Sequence, residues 1–212
     1  MEDESRARAR LALYLTPLAL ATIAGTIGVM FMPWFLTNRP LTLIALSPLF
    51  RHFVLVSPSV AAAPLFAIGV PRHFAVDPFV YLLGRDYGPA AVMWVETNSP
   101  GLGRLVRALE RLFAKVGPLA LLVSPDIVVS TLAGAARVSF PVFVVMNLLG
   151  TVANIVVARL FGTVLEAEIT AFTTWIRAHV VVATAISVAL FLAFNAWSKR
   201  KGDDTGREAT GE

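Results

Sequence analysis

The chain has no cysteine in its 212 residues, which removes disulfides, Cys-ligated zinc and thiol nucleophiles together. It has three histidines, His52, His73 and His179, and no two of them stand at a metal-ligand spacing such as i, i+4, so neither a metal nor a cofactor is expected. No Ser/His/Asp set and no paired carboxylates occur within an apolar run, and those are the groups that hydrolysis needs. The chain therefore does not read as an enzyme. Charge is scarce as well: 15% of residues are charged against 57% hydrophobic, and the charged side chains lie bunched between apolar runs. A soluble domain of this size carries charge along its whole length.

What is present is long apolar stretches. Leu11 to Leu36 is 26 residues with no ionisable group except Tyr14, enough to cross a hydrocarbon core about 30 Å thick at about 1.5 Å per residue. Val138 to Ala158 and Ala178 to Ser198 are two further runs of spanning length. The first run follows Arg6, Arg8 and Arg10 as a signal peptide would, but it is too long for an h-region. It also ends in Met32-Pro33-Trp34 where a small-x-small cleavage site would stand, so a retained anchor is expected.

Cytoplasmic loops carry excess Lys and Arg. With the N-terminus inside, the first span leading out, a return by Pro71 and the last two runs going out and back, only Arg39, Arg51, Arg159 and Arg177 of the 18 basic residues fall outside. The pattern predicts a multi-pass protein of the cytoplasmic membrane with about four transmembrane helices and both termini inside. Residues 1–10 form a cytoplasmic segment, 11–198 a single membrane domain and 199–212 a polar tail expected to be disordered. Between spans, Ser99 as N-cap and Pro100 at the first helical position open a helix over about 99–116. Its apolar residues Leu102, Leu105, Leu109 and Leu112 stand opposite Arg104, Arg107, Arg111 and Lys115. Such a basic amphipathic helix lies in the headgroup plane or packs its apolar stripe on the bundle. Positive-inside bias accounts for the pI of about 10.0, so no nucleic acid partner is expected.

Two apolar regions do not read as simple spanning helices. Residues 41–71 contain Pro48, Pro58 and Pro64, and residues 117–136 contain Pro125 with Asp126 beside it. An internal proline removes a backbone donor and clashes with the preceding turn, so each region should break. The two resemble each other: Leu55-Val56-Ser57-Pro58 matches Leu122-Val123-Ser124-Pro125, and Gly69-x-x-Arg72 matches Gly134-x-x-Arg137. The pair reads as re-entrant hairpins related as an inverted repeat within an all-α membrane fold. Broken apolar segments in corresponding positions of two halves point to a transporter-type site near the midplane. Asp126 is the candidate at its centre, because an ionisable group in an apolar run faces a cavity or a partner, although it could equally cap the second half-helix. Ser57, Ser59, Ser124, Ser130 and Thr131 are candidate lining groups for the same path.

Several elements together resemble a known family. They are Asp77-Pro78-Phe79-Val80-Tyr81-Leu82-Leu83-Gly84-Arg85-Asp86-Tyr87-Gly88, the Phe113-Ala114-Lys115-Val116-Gly117 end of the amphipathic helix, Ala133-Gly134-Ala135-Ala136-Arg137, and Asn147-x-x-Gly150. Taken with the Pro-broken pair, the stretch from about Leu41 to Ala158 resembles the DedA family, also called the VTT or SNARE-associated Golgi protein family. The resemblance implies a lipid flippase or scramblase that moves a polyprenyl phosphate or a phospholipid headgroup. Membrane lipids would be its partners, with protons and a second copy of the chain as further candidates, and Arg72, Arg85 and Arg137 would gather headgroups. The chain departs from the family in having Ser57-Pro58-Ser59 where an acidic residue usually stands in the first hairpin. It also has Ser124-Pro125-Asp126 where arginines usually flank the proline of the second. Two alternatives remain open at this point: a transport-inactive scaffold of the same fold, and a proton-coupled transporter of small solutes.

Overall fold

A computed structural model of the chain describes residues 2–98, 116 and 119–210, with side chains described for 8–88, 116 and 119–197. Among these residues the structure is all helical. In chain order the helices are α1 (Glu2–Met30), α2 (Met32–Asn38), α3 (Pro40–Leu46), α4 (Phe50–Val56), α5 (Ala62–Phe74), α6 (Asp77–Asn98), α7 (Ile127–Ala135), α8 (Phe140–Val164), α9 (Glu166–Ala178) and α10 (Val180–Thr210). Residues 119–123 are also helical. The amphipathic helix expected over 99–116 falls almost wholly outside the described residues.

Among the described residues three helical stretches are long and apolar enough to cross a membrane: Arg8–Met30, Phe140–Val164 and Val180–Trp197. That is one fewer than the charge pattern predicts. The return expected by Pro71 is not a single helix, because α3, α4 and α5 have 7, 7 and 13 residues, at most about 20 Å each. The first and third stretches lie almost entirely against the surroundings, with 6% and 0% of their apolar windows buried, while 28% of the middle one is covered. Exposed Leu13, Leu20, Ile23, Val181, Leu190 and Phe194 give α1 and α10 the outward apolar faces that hydrocarbon requires. The polar stretch after Ser198, expected to be disordered, continues α10 as helix to Thr210. Propagating an existing helix costs far less than nucleating one, so the apolar span carries the polar residues with it.

α8 is the spine, with both broken regions docked along it. Near its C-terminal end, Ile155 and Ala158 join Leu43, Ile44, Phe53, Val56 and Leu65 in one core. Here a Cβ on Gly162 would stand 2.6 Å from Ser57 Cβ and 2.7 Å from the Val54 carbonyl oxygen, so glycine lets the chain around Ser57 settle on the helix. Near its N-terminal end, Phe143 joins Tyr81, Leu121 and Ala133 in a second core, where the Tyr81 and Phe143 rings stack with centroids 4.4 Å apart. Gly84 faces Thr131, and Gly88, one turn on, faces Ala135, so α6 and α7 run side by side in the same direction. A Cβ on Gly134 would overlap the Tyr81 carbonyl oxygen. Small residues at such a contact let two backbones touch, which is how helices associate where apolar side chains gain nothing over lipid.

The breaks stand close to where the prolines predict, with two differences. The 41–71 region is interrupted twice, at Ser47-Pro48-Leu49 and again across Ser57 to Ala61. Pro64 breaks nothing, since it is the third residue of α5, within the turn whose N–H groups have no intrahelical partner. Pro125 does interrupt the second region, between helical residues 119–123 and α7.

Candidate functional site

A cavity of about 410 Å³ lies between the two broken regions. Its wall is drawn from Thr22 and Gly25 of α1, the Ser47-Pro48-Leu49 break, Arg72 and His73 at the end of α5, Asp77 at the start of α6, the Ser124-Pro125-Asp126 break and Asn154 of α8. Asn154 is the fifteenth residue of the 25 in α8, about 21 Å along a helix about 36 Å long. The cavity therefore sits near the middle of the spine, between its two cores.

Each charged side chain in the wall has a structural bond. Asp126 is the N-cap of α7: its Oδ1 accepts from the Val129 N–H at 2.9 Å, and its Oδ2 accepts from the Ser124 hydroxyl at 2.9 Å. The capping and cavity-lining readings of Asp126 therefore hold together. Arg72 donates from Nε to the Ala45 carbonyl at 2.7 Å and from Nη2 to the Leu46 carbonyl at 3.3 Å. Those carbonyls close α3, where Pro48 ends the helix without continuing its ladder, so the guanidinium serves orphan acceptors. Asp77, 3% exposed, accepts from Asn147 Nδ2 at 3.0 Å. Asn147 also reaches Ser130 Oγ at 3.5 Å and takes the Thr151 hydroxyl on its Oδ1 at 3.2 Å. This buried chain ties α6, α7 and α8 together and leaves Asp77 at its cavity end.

The other candidates divide. Ser124 lines the cavity beside Asp126. Ser130 lies behind the wall, fully buried in the Asn147 cluster. Thr131 bonds back to the Ile127 carbonyl at 2.7 Å and faces Gly84 of α6. Ser57 and Ser59 are not in the cavity wall. Ser57 is buried against α8 and donates to the Phe53 carbonyl at 2.6 Å, while Ser59 bonds to the Val56 carbonyl at 3.0 Å. Hydroxyls in apolar helices return to their own backbone in this way when nothing else is in reach. The first region instead presents Ser47-Pro48 to the cavity, a Ser-Pro pair that precedes the Ser57-Pro58 of the repeated tetrapeptide. Of the three arginines, only Arg72 reaches the cavity. Arg85 lies on the exposed side of α6 with Nη1 3.5 Å from the Tyr81 hydroxyl. Arg137 is exposed just past α7, at a φ of 55°, where its N–H and that of Val138 close the helix on the Gly134 and Ala133 carbonyls.

Of the buried cluster only Ser130 was a candidate from the sequence; Asp77 and Asn147 stand in the elements that carry the family resemblance without a role of their own, and His73 was given none. The available signal was Asn147, a side-chain amide in the middle of an uncharged spanning run, which must find a partner there. Comparison of the chain with protein-family models, with curated proteins and with solved structures finds no match.

Proposed function

We propose that the protein is a multi-pass membrane lipid transporter, a flippase or scramblase of the DedA type, with the cavity between its broken regions as the headgroup path. The observation that carries this reading is a charged cavity with an apolar rim. Asp77 is buried in its wall and Arg72 half-buried, while Asp126 is exposed at its mouth beside Leu49, Phe50, Ile127 and Val128, which line it too and are exposed at 41%, 42%, 46% and 66%. A volume of about 410 Å³ admits a headgroup, and an apolar rim lets acyl chains stay in the bilayer. A path for water-soluble solutes would be rimmed by polar groups.

In this reading the three long helices and the broken 40–74 region supply the crossings, the broken region acting as the fourth. An even number of crossings leaves both termini on the same side, and the basic residues favour the cytoplasmic one. The breaks at Ser47-Pro48 and Ser124-Pro125 then enter the membrane from opposite faces and meet at the cavity, so the inverted repeat pairs these two rather than the two identical tetrapeptides.

The test is reconstitution into liposomes with acyl-labelled lipids. Wild-type protein should exchange label between leaflets well above empty vesicles, and an exchange rate equal to that of empty vesicles would sink the reading.

A further inference from the structure

We propose that α9 lies in the boundary between headgroups and acyl chains, in the leaflet on the side opposite the C-terminus, with the edge that carries Phe172 and Trp175 turned into the lipid. This placement requires only that α8 and α10 span the membrane. α9 has 13 residues, about 20 Å at about 1.5 Å per residue, too short to cross a hydrocarbon core about 30 Å thick. Leu165 alone separates it from the spanning stretch Phe140–Val164, and His179 alone from Val180–Trp197. With one residue at each corner and no linker, the helix stays at the surface where the two spans end.

Packing fixes its rotation. Ile169 and Ile176, two turns apart, are buried, and Ile176 joins Leu36, Phe53 and Val56 in the first core. Helical spacing places Phe172 and Trp175 on one flank of that buried stripe, where they are exposed at 43% and 57%. Glu166, Thr170 and Arg177 fall on the other flank and are exposed. Glu168 interrupts the apolar flank, but it stands with Glu166 in the first turn, where the helix dipole stabilises a carboxylate. One flank therefore suits lipid and the other water, with the protein between them, as in helices that lie in an interface.

The surroundings name lipid as the occupant. The apolar flank is bounded at its two ends by Val164 and Val181 of the spanning stretches, exposed at 80% and 78%. A second copy or a soluble partner would have to enter the bilayer to reach it. The Trp175 ring lies against His179 with centroids 5.2 Å apart, and Trp34 is exposed on α2, the helix on which α9 packs. Tryptophan rings gather at headgroup level. Because Ile176 belongs to the core that seats the first broken region, a leaflet that grips α9 grips that region as well.

The chain has no cysteine, so Phe172→Cys, Trp175→Cys, Thr170→Cys and Thr174→Cys each take a single nitroxide label. All four positions are exposed, and the substitutions leave the core untouched. The labelled proteins are reconstituted into liposomes of phosphatidylcholine and phosphatidylglycerol. Saturation spin resonance then compares access by oxygen, which concentrates in lipid, with access by a water-soluble nickel chelate. We expect the oxygen-to-nickel ratio to be about fivefold higher for labels at Phe172 and Trp175 than at Thr170 and Thr174, with the first pair about 5–10 Å into the boundary. Equal nickel access at all four positions places α9 in water and overturns the proposal. Equally high oxygen access at all four sinks the helix into hydrocarbon and overturns it too. Shielding of Phe172 and Trp175 from both reagents gives the edge to a second copy or another protein instead. None of these outcomes depends on whether the protein moves lipid.

Discussion

The two broken regions contain the same tetrapeptide, and it does different things in them. Leu55-Val56-Ser57-Pro58 turns tightly against α8, with Ser57 buried and bonded to the Phe53 carbonyl. Leu122-Val123-Ser124-Pro125 opens a cavity, with the Ser124 hydroxyl on Asp126. The residue after the proline accounts for much of the difference. Asp126 serves the orphan N–H groups of α7 from within its own segment, whereas neither α4 nor α5 has a side-chain cap. The first region is instead held at its carbonyls, by its own Arg72 at the end of α5 on Ala45 and Leu46 and by Arg159 of α8 on Val60 at 3.0 Å. Where water is absent, every broken helix end must be satisfied by protein, and these two regions use opposite charges at opposite ends to do it.

The largest effect that sharpens this comparison should come from the glycines that seat each region. In Gly134→Ala the new methyl meets backbone, the Tyr81 carbonyl and the Arg85 N–H, which cannot swing aside. A loss of about 3 kcal/mol is expected, at the upper end for overpacking. In Gly162→Ala one of the contacts is the Ser57 side chain, and about 2 kcal/mol is expected. Thermal unfolding of both variants in detergent should rank them in that order; the reverse ranking would mean that the first region, not the second, is the more rigidly seated.

Those glycines also show how far the sequence could be read. The long helices were legible because about twenty uncharged residues in a row admit few other structures, and the breaks near Pro48, Pro58 and Pro125 because proline cannot continue a hydrogen-bond ladder. Asp126 was legible as a charge in an apolar run. The partition of the two Ser-Pro pairs was legible only in the residue that follows, Ser59 or Asp126, since the tetrapeptide itself is shared and the burial of Ser57 comes from its packing on α8 around Gly162. Asp77 was illegible for a related reason: its burial depends on Asn147, 70 residues away.

The next effect in size tests the opposite capping. Asp126→Ala removes the Val129 cap and should cost about 1 kcal/mol, while Asp126→Asn costs little. In the first region Ala61, extended at φ −63° and ψ 156° and exposed, stands at the N-cap of α5 without a capping side chain. Ala61→Ser should therefore add about 0.5–1 kcal/mol, as capping series show in reverse. Detergent melting curves on the three variants check both signs at once. A destabilising Ala61→Ser would show that α5 begins elsewhere in the membrane-embedded protein.

The smallest change in stability decides the comparison most directly. Ser57→Ala and Ser124→Ala each remove one hydroxyl bonded within its own segment, and each should stay within about 1 kcal/mol of wild type. Their effects on lipid exchange should separate. Ser124 holds the Asp126 Oδ2 from inside the cavity, so its loss frees the carboxylate to reorient and should slow exchange severalfold. Ser57 bonds to the Phe53 carbonyl and packs on α8 around Gly162, away from the cavity wall, and its loss should leave the rate unchanged. Equal slowing by both would mean that the repeated tetrapeptide itself forms the path and that the cavity at Ser47-Pro48 does not. Slowing by Ser124→Ala alone assigns the path to the break that carries the acid, and makes the first copy of the tetrapeptide a packing element against the spine.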